Sequence, residues 1–199
     1  MKKYKNKYRT TSKRLQNWDY GWPGAYFITI STNEKAHYFG EVVHKKMELS
    51  TVGVVADILW HEIKNHATQI ELGEFVAMPN HIHGILFLRR DKVEVEDVDR
   101  GLAVNGDSRT IGEARFQNQG KNTVSSIIGG YKSAVTKHAN RLGFEFGWQS
   151  SFWDYVIRDE ADQQRISNYI INNPQKWADD KFNGGVGNVV LEPWKKYGV

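Results

Sequence analysis

The chain has no cysteine, which excludes disulfides, thiolate metal sites and a thiol nucleophile together. Acidic residues are missing from the first 18 positions, where Lys2, Lys3, Lys5, Lys7, Arg9, Lys13 and Arg14 stand alone; the rest of the chain then carries 20 basic against 23 acidic residues. The basic excess therefore belongs to the N-terminal arm. No apolar run approaches the ~18 residues of a membrane span, and the arm lacks the apolar centre of a signal peptide. A soluble, cytoplasmic protein is expected. Proline is scarce, and three of the four, Pro23, Pro79 and Pro174, fall where the residue pattern changes.

What is present organises a single domain. A length of 199 residues supports one buried core and gives no reason to expect a second. The expected layout is a basic arm over 1–18, a domain over 19–182 and a tail over 183–199. Within the domain, 90–122 lacks periodicity and reads as a flexible insertion or an extended hairpin. After GWPG, the β-branched and aromatic run AYFITIST predicts a strand over 25–32. A short hairpin follows over 37–49. A helix capped by Thr51 carries Val52, Val55, Ile58, Leu59 and Ile63 at helical spacing.

Strands over 70–77 and 81–89 flank a turn at 78–80. Thr123 caps a second helix bearing Val124, Ile127, Ile128, Tyr131 and Val135, running to Arg141. Its Gly129–Gly130 pair suggests close approach of another backbone. A strand over 152–157 precedes a third helix, capped by Asp159 and ended by Asn173–Pro174, because the residue before proline is pushed out of helical geometry. Strands joined by hairpins and interrupted by helices predict an α+β fold. The simplest candidate is a ferredoxin-like (RRM-like) antiparallel sheet with helices packed on one face.

Two constellations can carry chemistry. In MPNHIHGILFL, strand alternation puts His81 and His83 on one face, about 7 Å apart along the chain. Two imidazoles so placed suit one metal ion, and hydrogen-bonded structural histidines fit equally well. In SNYIINNP, Tyr169 and Asn173 share a helical face; a core tyrosine and an ordinary helix-end asparagine are the bland alternative. Tyr131 is the rival phenol, set in an apolar stripe. Tyr4 and Tyr8 interleave the basic arm, which can neutralise phosphates and stack bases or stand as a solvated terminus. Trp148, Trp153 and Trp177 can stack bases or pack the core, and Lys132, Lys137 and Arg141 can face phosphates or solvent.

The ordered set PNHIHG, WQ-x-x-F-W and YI-x-N-NP-x-K, within a similarity running from residue 18 to about 181, resembles the single-tyrosine HUH transposases, in particular the REP-associated tyrosine transposases. The resemblance implies a ferredoxin-like fold and metal-dependent cleavage and rejoining of single-stranded DNA, commonly hairpin-bearing, through a 5′-phosphotyrosine. It implies His81 and His83 as metal ligands and Tyr169 as nucleophile. Asn173 stands where relatives place a third polar ligand, often glutamine. The cofactor implied is Mg²⁺ or Mn²⁺. Lys5, Lys7, Arg9, Lys13, Arg14 and Lys132 are the candidate DNA contacts, and the acting unit is a monomer or a homodimer. The alternatives are a domesticated DNA- or RNA-binding module of the same fold with weak or no catalysis, and a His-x-His metallohydrolase, for which His44, His61, His66 and His138 supply no matching array.

Overall fold

The computed structural model describes residues 3–4, 7–8, 18–67, 69–89, 122–180 and 182–183, the first two segments as backbone alone. There β1 (Lys3–Tyr4) and β2 (Lys7–Tyr8) pair antiparallel. The side chains of Lys5, Lys7, Arg9, Lys13 and Arg14, most of the 90–122 segment and residues 184–199 lie outside the described residues.

The domain follows a β-α-β-β-α-β course. Strand β3 (Gly24–Ser31) leads through a hairpin, β4 (Gly40–Val43) and β5 (Lys46–Leu49), into helix α1 (Thr51–His66). Strands β6 (Ile70–Met78) and β7 (His81–Leu88), helix α2 (Val124–Arg141) and strand β8 (Trp153–Ile157) follow. The sheet order is β6-β7-β3-β8 and every pairing is antiparallel. This is the ferredoxin-like topology.

Alternation along the strands divides the core in two. Tyr26, Ile28 and Ile30 of β3 and Ile82 and Leu86 of β7 point to one face, against Ala56, Trp60 and Ile63 of α1 and Ile128 and Val135 of α2. Phe27 and Ile85 point the other way with Ile157, and meet Ile166 and Ile170 of a third helix, α3 (Glu160–Ile171). The two crossover helices cover one face as expected. The third adds a layer on the opposite face, where each isoleucine it buries contributes roughly 1.5–3 kcal/mol.

Three local features set the register of the histidine strand. Strand β6 carries one extra residue between Leu72, which pairs with Leu86, and Phe75, which pairs with Gly84. This bulge keeps Ile70, Leu72, Phe75 and Ala77 all on the helical side. Gly84 lies under the indole of Trp60, where a Cβ would stand 2.2 Å from Cζ2, so only glycine lets α1 sit this close to β7. The turn Pro79–Asn80 is held by Thr32, whose N–H donates to the Asn80 carbonyl at 2.9 Å and whose hydroxyl hydrogen lies between the Ala36 and Asn80 carbonyls, at 2.8 and 2.9 Å.

Two of the three expected helix caps are found and one is displaced by a residue. The first helix is capped by Ser50, whose hydroxyl accepts from the Gly53 N–H at 3.0 Å, and Thr51 is already helical. Thr123 caps α2 in a reciprocal pair with Ser126, and Asp159 caps α3 by accepting from the Asp162 N–H at 2.7 Å. Gly129 and Gly130 have no atom of the described residues within 4 Å of where a Cβ would stand, so they serve no close packing there. Asn173 stays in helical geometry, φ −59° and ψ −45°, despite preceding Pro174. A 3-10 turn, Pro174–Asp179, continues directly from it.

Candidate active site

The site forms where the start of β7 meets the end of α3. His81 opens β7 just after the Pro79–Asn80 turn and pairs across the sheet with Ser31; His83 pairs with Thr29. Both imidazoles are buried on the α3 side, with ring centroids 4.5 Å apart. Strand alternation brings them to one face. The hydrogen bonds around them decide what that face can do.

Each ring is held by its Nδ1. His81 Nδ1 lies 2.9 Å from Asn80 Oδ1, and His83 Nδ1 lies 2.9 Å from Thr29 Oγ1. The Asn80 amide donates from Nδ2 to the Phe182 carbonyl at 2.7 Å. Phe27 stacks on His83 with centroids 5.2 Å apart. Phe182 covers His81 at 4.3 Å, and Trp177 packs 6.0 Å from the same ring.

Tyr169 reaches this pair from α3. Ile166 and Ile170 anchor the helix in the apolar layer, and Ser167 donates to Glu74 of β6 at 2.7 Å, which ties α3 to the bulged strand. The Tyr169 hydroxyl lies 3.3 Å from His83 Nε2. When the imidazole proton is on Nδ1, the phenol donates to Nε2. That nitrogen has one lone pair, so it can accept the phenol hydrogen or hold a cation, not both. Burial holds the Tyr169 phenol well above its ordinary pKa, the charge of Asp180 pushes it the same way, and a hydrogen bond with the Asn173 side chain pulls against both.

Asn173 lies four residues beyond Tyr169, just past the Asn172 C-cap of α3, and its side chain hydrogen-bonds the Tyr169 phenol. It is 2% exposed, and its Oδ1 accepts no hydrogen bond from the described residues. A buried carbonyl oxygen left so costs about 1–3 kcal/mol, which makes it a ready ligand for a cation. Among the described residues, no group of three or more His, Cys, Asp or Glu side chains can hold a metal ion. Two imidazoles and an amide oxygen are donor types that suit Mn²⁺ or Mg²⁺, mixed N/O donors suiting Mn²⁺ better.

The structure thus gathers His81, His83, Tyr169 and Asn173, with Trp177 against the His81 ring, and places Tyr131, Lys132 and Trp148 on the other side of the sheet. Tyr131 is buried on the opposite face of the sheet, edge-on to Trp60, and donates to the Ala56 carbonyl at 3.0 Å. Burial first, and then Asp57, raise its pKa well above normal. Lys132, on α2 behind the sheet, donates to the Gln149 carbonyl at 2.6 Å, and its partial burial lowers its pKa. Trp148 packs in the helical core and donates to the Lys132 carbonyl at 3.1 Å, whereas Trp153 lies half-buried beside Phe27. Arg165 is paired with Asp162. A cavity of about 380 Å³ between α1 and α2, lined by Leu59, Ile63, Ile127 and Tyr131 among others, contains none of the four gathered residues.

Thr29, Asn80, Asp180 and Phe182 were not marked by the sequence. Asn80 stood out only as a turn residue beside proline. Thr29 becomes relevant only once the β3–β7 register places it opposite His83.

The fold and the four-residue cluster define a ferredoxin-like domain with a tyrosine-imidazole site on the α3 face of its sheet. A REP-associated tyrosine transposase solved bound to a REP hairpin has this fold: TM-score 0.50, 18% identity, 86% of this chain and 74% of that chain covered. An uncharacterized protein of Haemophilus influenzae strain Rd is 32% identical over 172 residues, 86% of this chain and 91% of its own length. The chain belongs to the same family as that protein. No family model matches the sequence. Among the described residues, no helix is long and apolar enough to cross a membrane.

Proposed function

We propose that the chain cleaves and rejoins single-stranded DNA, with Tyr169 as nucleophile and His81, His83 and Asn173 as the holders of a divalent cation. The observation that carries this reading is the Tyr169 hydroxyl 3.3 Å from His83 Nε2, beside a buried Asn173 oxygen with no hydrogen-bond donor among the described residues. Mn²⁺ or Mg²⁺, when bound, supplies charge that offsets the negative charge building on a scissile phosphate.

The chain's own residues do the rest. Ile166, Ile170 and the Ser167–Glu74 bond hold α3 so that the Tyr169 oxygen faces the imidazole pair. The phenol loses its proton as its oxygen bonds to phosphorus. The bond from phosphorus to the 3′ oxygen breaks, and that oxygen leaves as a 3′-hydroxyl after taking up a proton. The 5′ phosphate stays on Tyr169. One ester replaces another and no water is consumed, so the released hydroxyl, or another DNA end, can reverse the step. Burial of the phenol, and after it the charge of Asp180, oppose ionisation, so the reaction needs compensating positive charge at the site.

The basic arm, with Lys5, Lys7, Arg9, Lys13 and Arg14, is the proposed phosphate-binding element, and a hairpin-bearing strand the proposed partner. The solved REP-associated transposase is bound to a REP hairpin, which supports that choice of partner. The second reading, a nucleic-acid-binding module with little catalysis, is favoured by the same raised phenol pKa.

The deciding experiment incubates the chain with hairpin-bearing single-stranded oligonucleotides and MnCl₂ and looks for a covalent protein-DNA adduct under denaturing electrophoresis. The expected result is an adduct lost in Tyr169→Phe and kept in Tyr131→Phe. Tight binding without any adduct selects the second reading. An adduct that survives Tyr169→Phe refutes the nucleophile assignment.

A further inference from the structure

We propose that Asn80 is a positioning residue that fixes which nitrogen of His81 carries the proton. Its side chain is nearly inaccessible, at 1% exposure. Its Nδ2 donates to the Phe182 carbonyl at 2.7 Å, which settles the orientation of the amide: the nitrogen faces Phe182 and the oxygen faces His81. A carbonyl oxygen only accepts. The 2.9 Å contact with His81 Nδ1 therefore requires a hydrogen on Nδ1, and the lone pair of a neutral ring then falls on Nε2.

The backbone of Asn80 is held as well, by the Thr32 N–H, which donates to its carbonyl at 2.9 Å. Rotating the amide by half a turn would set Oδ1 against the Phe182 carbonyl, two buried acceptors face to face, and moving the His81 proton to Nε2 would not relieve that clash; the Phe182 carbonyl is what fixes the amide. The contact at His83 Nδ1 is of another kind. There the partner is the Thr29 hydroxyl, which can donate or accept. The tautomer of His81 is dictated, and the adjacent asparagine of the turn dictates it.

This inference rests on the cation-holding reading for its purpose, since a cation binds the lone pair of a neutral imidazole, and removing such an outer hydrogen-bond partner weakens metal affinity by about 10–100-fold. Its test is independent of that reading. Long-range ¹H–¹⁵N spectra of the cation-free chain at pH 8 report the protonated nitrogen of each histidine. The wild-type chain should show His81 protonated at Nδ1. Asn80→Ala should release it to a mixture of tautomers, and Asn80→Asp, which keeps an acceptor oxygen, should restore Nδ1–H.

Titration with Mn²⁺, followed by the loss of free-ion signal in electron paramagnetic resonance, should show affinity about tenfold weaker in Asn80→Ala and not weakened in Asn80→Asp. A wild-type His81 protonated at Nε2 overturns the proposal whether or not either variant folds. So does Asn80→Ala with His81 still wholly Nδ1–H. A wild-type chain that binds no Mn²⁺ at all overturns the cation reading and leaves the tautomer result to stand by itself.

Discussion

Gly84→Ala tests whether the histidine strand is held by the close approach of α1. The added Cβ would stand 2.2 Å from Trp60 Cζ2 and 2.8 Å from Cε2 and Cη2. These are atoms of a wholly buried, rigid ring, itself stacked on Phe75 at 4.8 Å and edge-on to Tyr131 at 5.4 Å. Neither the indole nor the central strand can move aside without disturbing the rest of that layer. Overpacking of this kind costs about 1–3 kcal/mol, and a contact this short belongs at the top of that range. For a domain of this size about 3 kcal/mol corresponds to a fall in Tm of roughly 6–12 °C.

Urea denaturation followed by far-ultraviolet circular dichroism measures the change without relying on tryptophan fluorescence. A double-mutant cycle with Trp60→Leu sharpens it: in that background the alanine methyl meets a smaller neighbour, so the two losses should fall short of additivity by about 1–2 kcal/mol. Gly84→Ala with Tm unchanged, or losses that simply add, would refute the claim that Trp60 is what requires glycine there.

Two further perturbations test other parts of the account. Tyr131 has a folded pKa well above the 10.0 of the exposed group, so above pH 10 the unfolded chain releases a proton that the folded chain keeps. Stability should therefore decline as pH rises past 10, at up to about 1.4 kcal/mol per pH unit for this group, and Tyr131→Phe should flatten that decline while costing about 1 kcal/mol at neutral pH. Denaturation midpoints between pH 8 and 11 decide it, and equal slopes for the two proteins would count against a buried, neutral Tyr131. Deleting residues 1–17 should weaken binding to single-stranded DNA and lower the slope of log K against log salt. An unaltered slope would remove the arm from the proposed interface.

The fold was legible because its signals are local. The β-branched run of β3, the alternation in β7, and the caps at Thr123 and Asp159 can be read within a few residues, and together they specify the β-α-β-β-α-β order. The opposite placement of α3 was harder to read, since Ile166 and Ile170 show only that the helix has an apolar side and not which sheet face receives it. The site was legible in part for the same reason. His81 and His83 share a face by strand geometry, and Tyr169 and Asn173 by helix geometry, but the meeting of the two pairs depends on that tertiary choice. The roles of Asn80 and Thr29 depend on cross-chain hydrogen bonds that no spacing encodes. The α-helix stops where Asn173–Pro174 predicted, at Ile171 with Asn172 as its C-cap, but Asn173 itself keeps helical φ and ψ, so the preference against that geometry before proline yields here.

The single extra residue in β6 acts as a parity reset. On its N-terminal side the even-numbered Ile70 and Leu72 face the helices; on its C-terminal side the odd-numbered Phe75 and Ala77 do so, and Val76, the cross-strand partner of His83, is turned toward α3. Any relative that shortened this strand by one position would have to invert its hydrophobic pattern over half the strand, or surrender the wall beside the imidazoles.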